Sequence, residues 1–509
     1  MTIGQTPSPG ASSSSAATTA NPPPPAQPST TDALRSLHTE LIDVRTDFAT
    51  FTELEATFAE RFKDNFSEFN SLLQGMLETS TPNVTHSLDN QSDIQPPPQI
   101  PIQWPSDSLT QNWVISLMET FDWASKNLPP SEFPTLLPVE VFDELVRCAS
   151  EILIKEPNII RVDGLDTDSR VVVVGDIHGQ LHDLIFLLHD AGFLSDNRVF
   201  VFNGDYVDRG AWGLETFLLL LAWKVSMPKK VYLLRGNHES KYCTSTYGFK
   251  KEVEVKYGDK GEDVYRKCLN CFKRLPLASV IGGHIYTAHG GLFRPTRTRG
   301  KRTRGKKTRY ETSSLVLGSL DDLSKAKREV VNPEESSNLI LGDVLWSDPA
   351  MSPGLSPNTE RGVGLLWGPD CTEEFLKKSN LKVIEKAMFP LLSIILCLHI
   401  RVTVGMDEGY TIDHVVESGK LITVFSAPDY PQFQAPAEKR YNNKGAYIVL
   451  EPPHFDCPVF HSFGAVTPRP EANSYYDHEN VPDSDEDLDL TVHDSDEDLD
   501  LTSMVSQSS

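Results

Sequence analysis

The stretch Val171-Val-Val-Val-Gly-Asp-Ile-His-Gly179 joins an apolar run to an acid and an imidazole in a glycine-flanked turn. Two further runs end in the same way: residues 199–203 lead into Gly204-Asp205, and residues 231–234 lead into Asn237-His238-Glu239 after two intervening residues. Short runs rich in β-branched and aromatic residues predict buried strands. Oxygen and imidazole ligands placed where strands stop are how an α/β protein presents a metal at a sheet edge.

Helical patterns alternate with these strands. Residues 181–194 and 214–225 are rich in apolar positions, and later strands are expected to end at Ala288 and Phe425. Strands that alternate with helices predict βαβ units with right-handed crossovers. We therefore predict an α/β fold.

Composition divides the 509 residues into segments of different character. From the N-terminus they are a disordered low-complexity segment (1–30), a helical or coiled-coil segment (31–80), a linker (81–102), a central domain (103–465) with a helical lead-in (103–165) and a basic insertion (294–324), and an acidic disordered tail (466–509). Segments dominated by Ser, Pro and acidic residues cannot bury enough apolar surface to offset the entropy of the chain.

The segment 31–80 carries apolar residues mostly at a three-four spacing. This spacing favours an amphipathic hairpin or coiled coil, and self-association through it is our prediction. A helix with no role in assembly is the alternative.

The charge and the cysteine content limit the classes of protein to which this chain can belong. The net charge of −24 is unevenly distributed, because the tail is acidic while residues 294–309 are basic, so its sign says little about partners. The seven cysteines follow no framework spacing and no secretory signal opens the chain, which predicts a reducing intracellular compartment. We expect no membrane-spanning segment.

The residues at the strand ends suit a pair of divalent cations. Asp176 and His178 can reach one ion, and Asp205 suits a bridging position between this ion and a second one about 3.5 to 4 Å away. Asn237 and His289 suit the second ion. One such motif is weak, because single Asp and His residues are more often surface or core groups. Four in this order, each near the end of an apolar run, predict a two-metal phosphoesterase.

Phosphoryl chemistry also needs positive charge at the phosphate oxygens and an acid for the leaving group. Arg209 and Arg361 can fork onto phosphate oxygens in a way that lysine cannot. His238 can protonate the leaving alkoxide, with Asp208 orienting its ring. For Arg361 alone, a surface ion pair is the simpler interpretation.

These motifs resemble the PPP family of serine/threonine phosphatases. The residues that carry the resemblance are Gly175-Asp-Ile-His-Gly179, Gly204-Asp-Tyr-Val-Asp-Arg-Gly210, Arg235-Gly-Asn-His-Glu239, His289-Gly-Gly291, Trp346-Ser-Asp-Pro349, Glu360-Arg-Gly-Val363 and Ser426-Ala-Pro-Asp-Tyr430. The lead-in, the basic insertion and the segment Cys371–Lys378 resemble a plant branch of that family.

The resemblance implies a metallophosphoesterase-type central β-sandwich flanked by helices. It also implies two divalent metal ions (Mn, or Fe with Zn) and hydrolysis of phosphoserine or phosphothreonine in phosphoprotein substrates by a metal-activated water. Asn237 and Tyr430 would join the two arginines at the phosphate. Further implications are a role in plant signalling, a location in the nucleus and also in the cytoplasm, and a link to calmodulin.

The chain departs from the family pattern after Ile384, where an Arg-Ser-His-Glu motif is expected to supply the sixth metal ligand. Residues 385–401 are instead mostly apolar. We interpret them as translated noncoding sequence from a mis-spliced or mispredicted gene; the alternative is that His399 supplies the missing imidazole. Because of this departure, the alternative function is that of a catalytically impaired scaffold that binds phosphoproteins through Arg209 and Arg361. A phosphoesterase acting on nucleotides is disfavoured, because residues 426–430 resemble protein-directed members.

Residues 294–309 carry nine positive charges. Such clusters serve nuclear import or nucleic-acid contact, and the absence of an interleaved aromatic residue before Tyr310 argues against specific nucleic-acid binding. We predict nuclear import; a solvated loop that pairs with the acidic tail is the alternative.

The tail repeats residues 483–491 at 494–502, and Ser484 and Ser495 are expected targets of acid-directed kinases.

Overall fold

The computed structural model describes residues 101–476, apart from residues 107, 194, 296–314, 335–338, 380–392, 398–406, 432–439, 453–454 and 456. Only the backbone is described for residues 393–397. The predictions for residues 1–80, for most of the linker and of the basic insertion, for His399 and for the tail beyond residue 476 therefore fall outside the described residues.

The described helices are α1 Gln111–Asn127, α2 Phe133–Leu136, α3 Val139–Leu153, α4 Leu181–Asp190, α5 Gly213–Ser226, α6 Lys241–Thr246, α7 Phe249–Tyr257, α8 Gly261–Phe272, α9 Leu320–Ser324, α10 Leu339–Trp346 and α11 Pro369–Lys378. Short 3-10 turns occupy Pro130–Glu132 and Gly258–Lys260. Helix α1 begins where the Thr110 hydroxyl accepts a 3.3 Å hydrogen bond from the Trp113 amide, which satisfies a donor that the helix leaves open. None of the described helices is both long and apolar enough to cross a membrane.

The strands are β1 Ile159–Val162, β2 Arg170–Val174, β3 Arg198–Phe202, β4 Val231–Leu233, β5 Ala278–Ile281, β6 Ile285–Ala288, β7 Asp348–Pro349, β8 Leu355–Pro357, β9 Leu365–Trp367, β10 Ser393–Cys397, β11 Tyr410–Val416, β12 Gly419–Val424, β13 Gly445–Leu450 and β14 Pro458–Phe463. One sheet has the order β14-β13-β2-β3-β4 and the other has the order β1-β5-β6-β10-β12-β11. Strands β7, β9 and β8 form a small third sheet.

The four consecutive valines of strand β2 are explained by the burial of both of its faces. Val171 and Val173 lie in a buried cluster with residues of the other sheet, such as Ile281 and Ile422. Val172 and Val174 lie on the opposite face, in the cluster built by the helices. A strand that is covered on both faces reads as a continuous apolar run, because side chains alternate between the two faces.

The predicted βαβ units are present. Strands β2, β3 and β4 are parallel neighbours, and α4 and α5 connect them in chain order. Strand β6 ends at Ala288 as predicted, and β12 ends one residue before Phe425, which still forms an isolated bridge with Asp176. Two packed sheets with helices confirm the predicted α/β fold.

Part of the divergent segment is a strand. Strand β10 lies parallel to and between β6 and β12, and Cys397 pairs in register with Ala288. The interpretation as translated noncoding sequence stays a prediction, because a run of five apolar and small residues suits a buried strand whatever its origin.

The ordered chain continues beyond residue 465, where the acidic tail was predicted to begin. The Val466 amide donates a 2.9 Å hydrogen bond to Asp183 Oδ1 on α4, and Tyr476 is buried. The packed part of the chain therefore extends at least to residue 476.

Candidate metal centre

The predicted ligands lie at the carboxyl ends of neighbouring strands. Asp176 and His178 follow β2, Asp205 follows β3, Asn237 follows β4 and His289 follows β6. All five side chains are buried. The parallel strands β2 to β4 bring their ends to one edge, and the second sheet brings His289 to the same place.

Two groups of ligand atoms converge there. His178, Asp205 and His238 form one group and Asp176, Asp205 and His289 form the other, with the ligand atoms of each group all within 4.8 Å of one another. Asp205 belongs to both groups, as a bridging carboxylate must.

The two histidines are oriented as metal ligands are. His178 Nδ1 lies 3.1 Å from the Val207 carbonyl oxygen and His289 Nδ1 lies 3.1 Å from the Asn203 carbonyl oxygen. A ring whose Nδ1–H donates to a carbonyl turns the electron pair of Nε2 away from that carbonyl, which is the usual arrangement behind a metal-bound histidine.

The distances between donor atoms fit shared cations. Asp205 Oδ2 lies 3.7 Å from His178 Nε2 and 3.4 Å from His289 Nε2. Two ligands each about 2.1 Å from one ion are separated by about 3 to 4 Å. Asn237 Oδ1 lies at a hydrogen-bond distance of 2.7 Å from His289 Nε2, so the amide oxygen is next to the second group. The donor set of carboxylate, amide and imidazole therefore fits divalent cations.

The His238 ring is paired with Asp208. Its Nδ1 lies 2.7 Å from Asp208 Oδ2, and its backbone amide donates a 2.9 Å hydrogen bond to Asp205 Oδ1. The second oxygen of Asp208 accepts from the Phe249 amide at 2.9 Å. The candidate general acid is thus tied both to the bridging residue and to the start of α7.

The loops that carry these residues are conformationally strained. His178, Asp205, Asp208 and Arg209 have φ angles of 46°, 52°, 70° and 66°. Residues other than glycine adopt this left-handed region at a cost of about 1–3 kcal/mol each, and such outliers cluster at functional sites. Surrounding hydrogen bonds, such as that from the Gly210 amide to the His178 carbonyl at 2.9 Å, hold the backbone there.

Glu239 organises two of these loops, a role that we did not assign from the sequence. Its carboxylate accepts hydrogen bonds from the amides of Asp205, Tyr206 and Gly236 at 2.8 to 2.9 Å. Burial raises the pKa of Glu239, although the three amides oppose this shift. Gly236 must be a glycine, because a Cβ there would lie 2.1 Å from Asp205 Oδ1. The only signal for Glu239 in the sequence was its place beside Asn237 and His238.

A buried charge network supports the other end of the Asp205 loop. Glu252 accepts hydrogen bonds from the amides of Gly213 and Leu214, at the start of α5, and from Lys256. Lys256 also pairs with Glu215. Burial raises the pKa of Glu252 to about 7, and Lys256 opposes this rise. Charged residues in helical stretches were the sole indication of this network in the sequence.

The predicted phosphate-binding residues lie in different surroundings. The guanidinium carbon of Arg209 lies 3.9 Å from the centre of the Tyr247 ring, and the Tyr430 ring lies 5.2 Å from the His178 ring. Arg361 is buried and forks onto Asp348, with Nε 2.6 Å from Oδ2 and Nη2 3.2 Å from Oδ1. Asp348 was not among the predicted site residues.

The fold and the paired ligand groups define a metal-dependent phosphoesterase, and comparisons with known proteins agree. The calcineurin-like phosphoesterase family, Metallophos, matches residues 169–384. The match ends at Ile384, the residue after which the sequence departs from the expected pattern.

Relatives identify the family within that class. Serine/threonine-protein phosphatase 7 of Arabidopsis thaliana is 63% identical over 411 residues, which are 78% of this chain and 97% of the relative. The long form homolog of phosphatase 7 from the same plant is 54% identical, over 74% of this chain and 29% of its own length. A serine/threonine phosphatase structure from Saccharomyces cerevisiae, with similarity to human phosphatase PP5, superposes with a TM-score of 0.53 at 27% identity and covers 67% of this chain and 94% of that one. The chain belongs to the serine/threonine protein phosphatase family.

Proposed function

We propose that this chain hydrolyses phosphoserine and phosphothreonine in phosphoproteins at the buried metal centre. The observation that carries the proposal is that Asp205 is shared by two groups of ligand atoms, one of which includes His238, and that the His238 ring is paired with Asp208. The names of the relatives support the choice of substrate.

We assign the ligands to two cation positions. Asp176 lies between the two groups, 3.8 Å from His178 Nε2 and 3.7 Å from His289 Nδ1. Because His289 Nδ1 already donates to the Asn203 carbonyl, Asp176, His178 and Asp205 would hold the first ion, and Asp205, Asn237 and His289 would hold the second. Bound divalent ions lower the pKa of water and neutralise charge on phosphate oxygens. Manganese, or iron with zinc, suits this set of oxygen and imidazole donors.

The protein's own groups would hold the phosphate and move the proton. His238 would donate a proton to the leaving alkoxide, and Asp208 would fix the orientation of its ring. Arg209 and Arg361 would bind phosphate oxygens as bidentate donors, with Asn237 and Tyr430 beside them. For Arg361 to do this, Asp348 must hold one side of the guanidinium, and the N–H groups on the other side must face the phosphate.

The proposal is tested with the full-length chain, manganese and a phosphoserine peptide. We expect turnover in the wild type, and Asp176→Asn is expected to lower kcat by about 10²-fold or more and to reduce the bound metal. Asp196→Asn is a matched control, because the Asp196 side chain is fully exposed. Undiminished activity and metal content in Asp176→Asn would refute the assignment of ligands.

The second candidate function is a phosphoprotein-binding scaffold with impaired catalysis. It is favoured by the replacement of the expected sixth-ligand motif and by the end of the family match at residue 384. In that case the wild type would bind the phosphopeptide without hydrolysing it, and Arg361→Lys would weaken binding because lysine cannot fork. Arg266→Lys is the control, since Arg266 pairs with Asp263 at the surface.

Location and partners remain predictions. A reporter fused to residues 290–312 is expected to enter the nucleus, and the same reporter with its basic residues changed to glutamine is expected to stay in the cytoplasm. Calmodulin binding is tested by calcium-dependent capture of the full chain. Self-association through residues 31–80 is tested by sedimentation with and without that segment.

A further inference from the structure

A C-terminal strap, residues 464–476, runs from a contact with helix α4 to a contact with Gly248, just before α7. Arg469 Nη2 and the Val466 amide each lie 2.9 Å from Asp183 Oδ1. Asp183 is on α4, five residues after the predicted ligand His178. The anchor of the strap is therefore on the helix that follows the first metal-site loop.

The end of the strap packs closely on the backbone at Gly248, in the segment after the loop that carries Asn237 and His238. A Cβ at Gly248 would lie 3.3 Å from Tyr475 Cβ and 3.5 Å from Tyr476 Cδ1. Gly248 also has a φ of 115°, a conformation that favours glycine. The two tyrosines thus lie against the backbone beside Tyr247.

This packing places a second aromatic ring near the candidate phosphate-binding arginine. The guanidinium carbon of Arg209 lies 3.9 Å from the centre of the Tyr247 ring and 5.5 Å from the centre of the Tyr476 ring. Arg209 is 2% exposed and Tyr476 is 8% exposed. Both rings are within the distance at which a cation interacts with an aromatic face.

We propose that Tyr476 is a positioning residue for phosphate binding, acting through Arg209. A free arginine side chain loses much rotamer freedom when it clamps an anion. Two rings that already hold the guanidinium remove part of that loss, so the strap increases the affinity of the site for phosphate. The inference rests on the proposed function in one respect, that Arg209 contacts the phosphate.

The test measures phosphate affinity directly. Inorganic phosphate is titrated by calorimetry into the manganese-loaded full-length wild type and into Tyr476→Phe, Tyr476→Leu and Tyr476→Met. Phenylalanine keeps the ring and is expected to bind like the wild type. Leucine and methionine remove the ring, and methionine keeps much of the volume; both are expected to bind phosphate about 3- to 10-fold more weakly. Phe186→Leu is the control, because it removes an exposed ring on the outer face of α4.

Kinetics with a phosphoserine peptide provide the second readout. Loss of the ring is expected to raise KM by a similar factor and to change kcat less, while metal content stays constant. Unchanged phosphate affinity in both Tyr476→Leu and Tyr476→Met would overturn the proposal, as would a wild type that binds no phosphate. Tighter binding without the ring would also overturn it, because Tyr476 would then obstruct the site. A wild type that binds phosphate but turns over no peptide would refute the proposed enzymatic function alone.

Discussion

Asp208 Oδ2 lies 2.7 Å from His238 Nδ1, and Asp208 Oδ1 accepts a hydrogen bond from the Phe249 amide. The carboxylate therefore has two separable roles, one towards the imidazole and one towards the backbone of α7. Asparagine can keep the backbone role through its carbonyl oxygen. It cannot stabilise a protonated imidazole as a carboxylate does.

We expect Asp208→Asn to lower kcat for a phosphoserine peptide by about 10²- to 10⁴-fold, the range of general acid catalysis. The loss is expected to be much smaller for p-nitrophenyl phosphate, because its leaving group needs little protonation. Steady-state kinetics on both substrates check this prediction, and metal content should not change. An equal loss on both substrates would contradict the role of His238 as the acid.

Glu239→Gln is expected to destabilise the site. An amide nitrogen would replace one of the oxygens that now accept from three backbone amides, leaving a buried donor facing another donor. The expected cost is about 1–3 kcal/mol in the free energy of unfolding, measured by urea denaturation. Glu408→Gln, at an exposed pair with Lys444, should change that free energy by less than about 0.5 kcal/mol.

We expect His182 to make the fold sensitive to acid. Its ring packs edge-on against Trp212, which precedes α5, with ring centres 4.7 Å apart. Burial lowers the pKa of His182 from 6.5 to about 4, although nearby Asp122 opposes the shift. Because the folded-state pKa lies below the unfolded-state value, stability is intact above pH 6.5 and decreases as the pH falls towards 4.

The shift corresponds to about 3 kcal/mol at most. We expect His182→Phe, which keeps a ring against Trp212, to show a shallower loss of stability across this pH range in urea denaturation. His189→Phe, at an exposed position of the same helix, should follow the wild type. If His182→Phe and the wild type lose stability in parallel, the buried histidine is not the acid-sensitive group.

The sequence was sufficient to predict the fold class and the residues that converge. Four consecutive valines in β2 predict a strand buried on both faces, and the ligands that follow β2, β3 and β4 meet because these strands are parallel neighbours. His289 follows β6 of the other sheet and reaches the same place through the packing of the two sheets. Asp205 could be proposed as the shared ligand because it lies at the end of the strand beside β2. Each of these inferences depends on local pattern and on the regular geometry of sheets.

The remaining features depend on irregular backbone and on contacts between distant segments. Glu239 accepts from three amides in a loop where Asp205 has a left-handed φ of 52°, a conformation that no periodicity predicts. Tyr476 reaches Arg209 through a strap without helix or strand, in a region that composition assigned to the disordered tail. The pairing of Arg361 with Asp348 joins two family motifs whose separation in the sequence does not reveal their contact.

The family pattern gives the second cation position one more ligand than the described residues supply. The described residues offer Asp205, Asn237 and His289 to this position, and the expected Arg-Ser-His-Glu motif is replaced in residues 385–401. A missing ligand lowers affinity, because coordination number and geometry set how tightly a divalent ion is held. After dialysis we expect about one tightly held metal ion per chain, measured by mass spectrometry of the metal, with activity rising as manganese is added back.

His399→Ala decides between the two interpretations of residues 385–401. If these residues contribute no ligand, the variant retains the same amount of metal as the wild type and responds to manganese in the same way. If the wild type instead retains two ions and the variant retains one, His399 is the missing ligand and the segment is a working part of the enzyme. His414→Ala is unsuitable as a control, because the His414 ring joins Thr372 to the Ala350 carbonyl. The exposed His189→Ala serves better, since its effect on metal content should be nil.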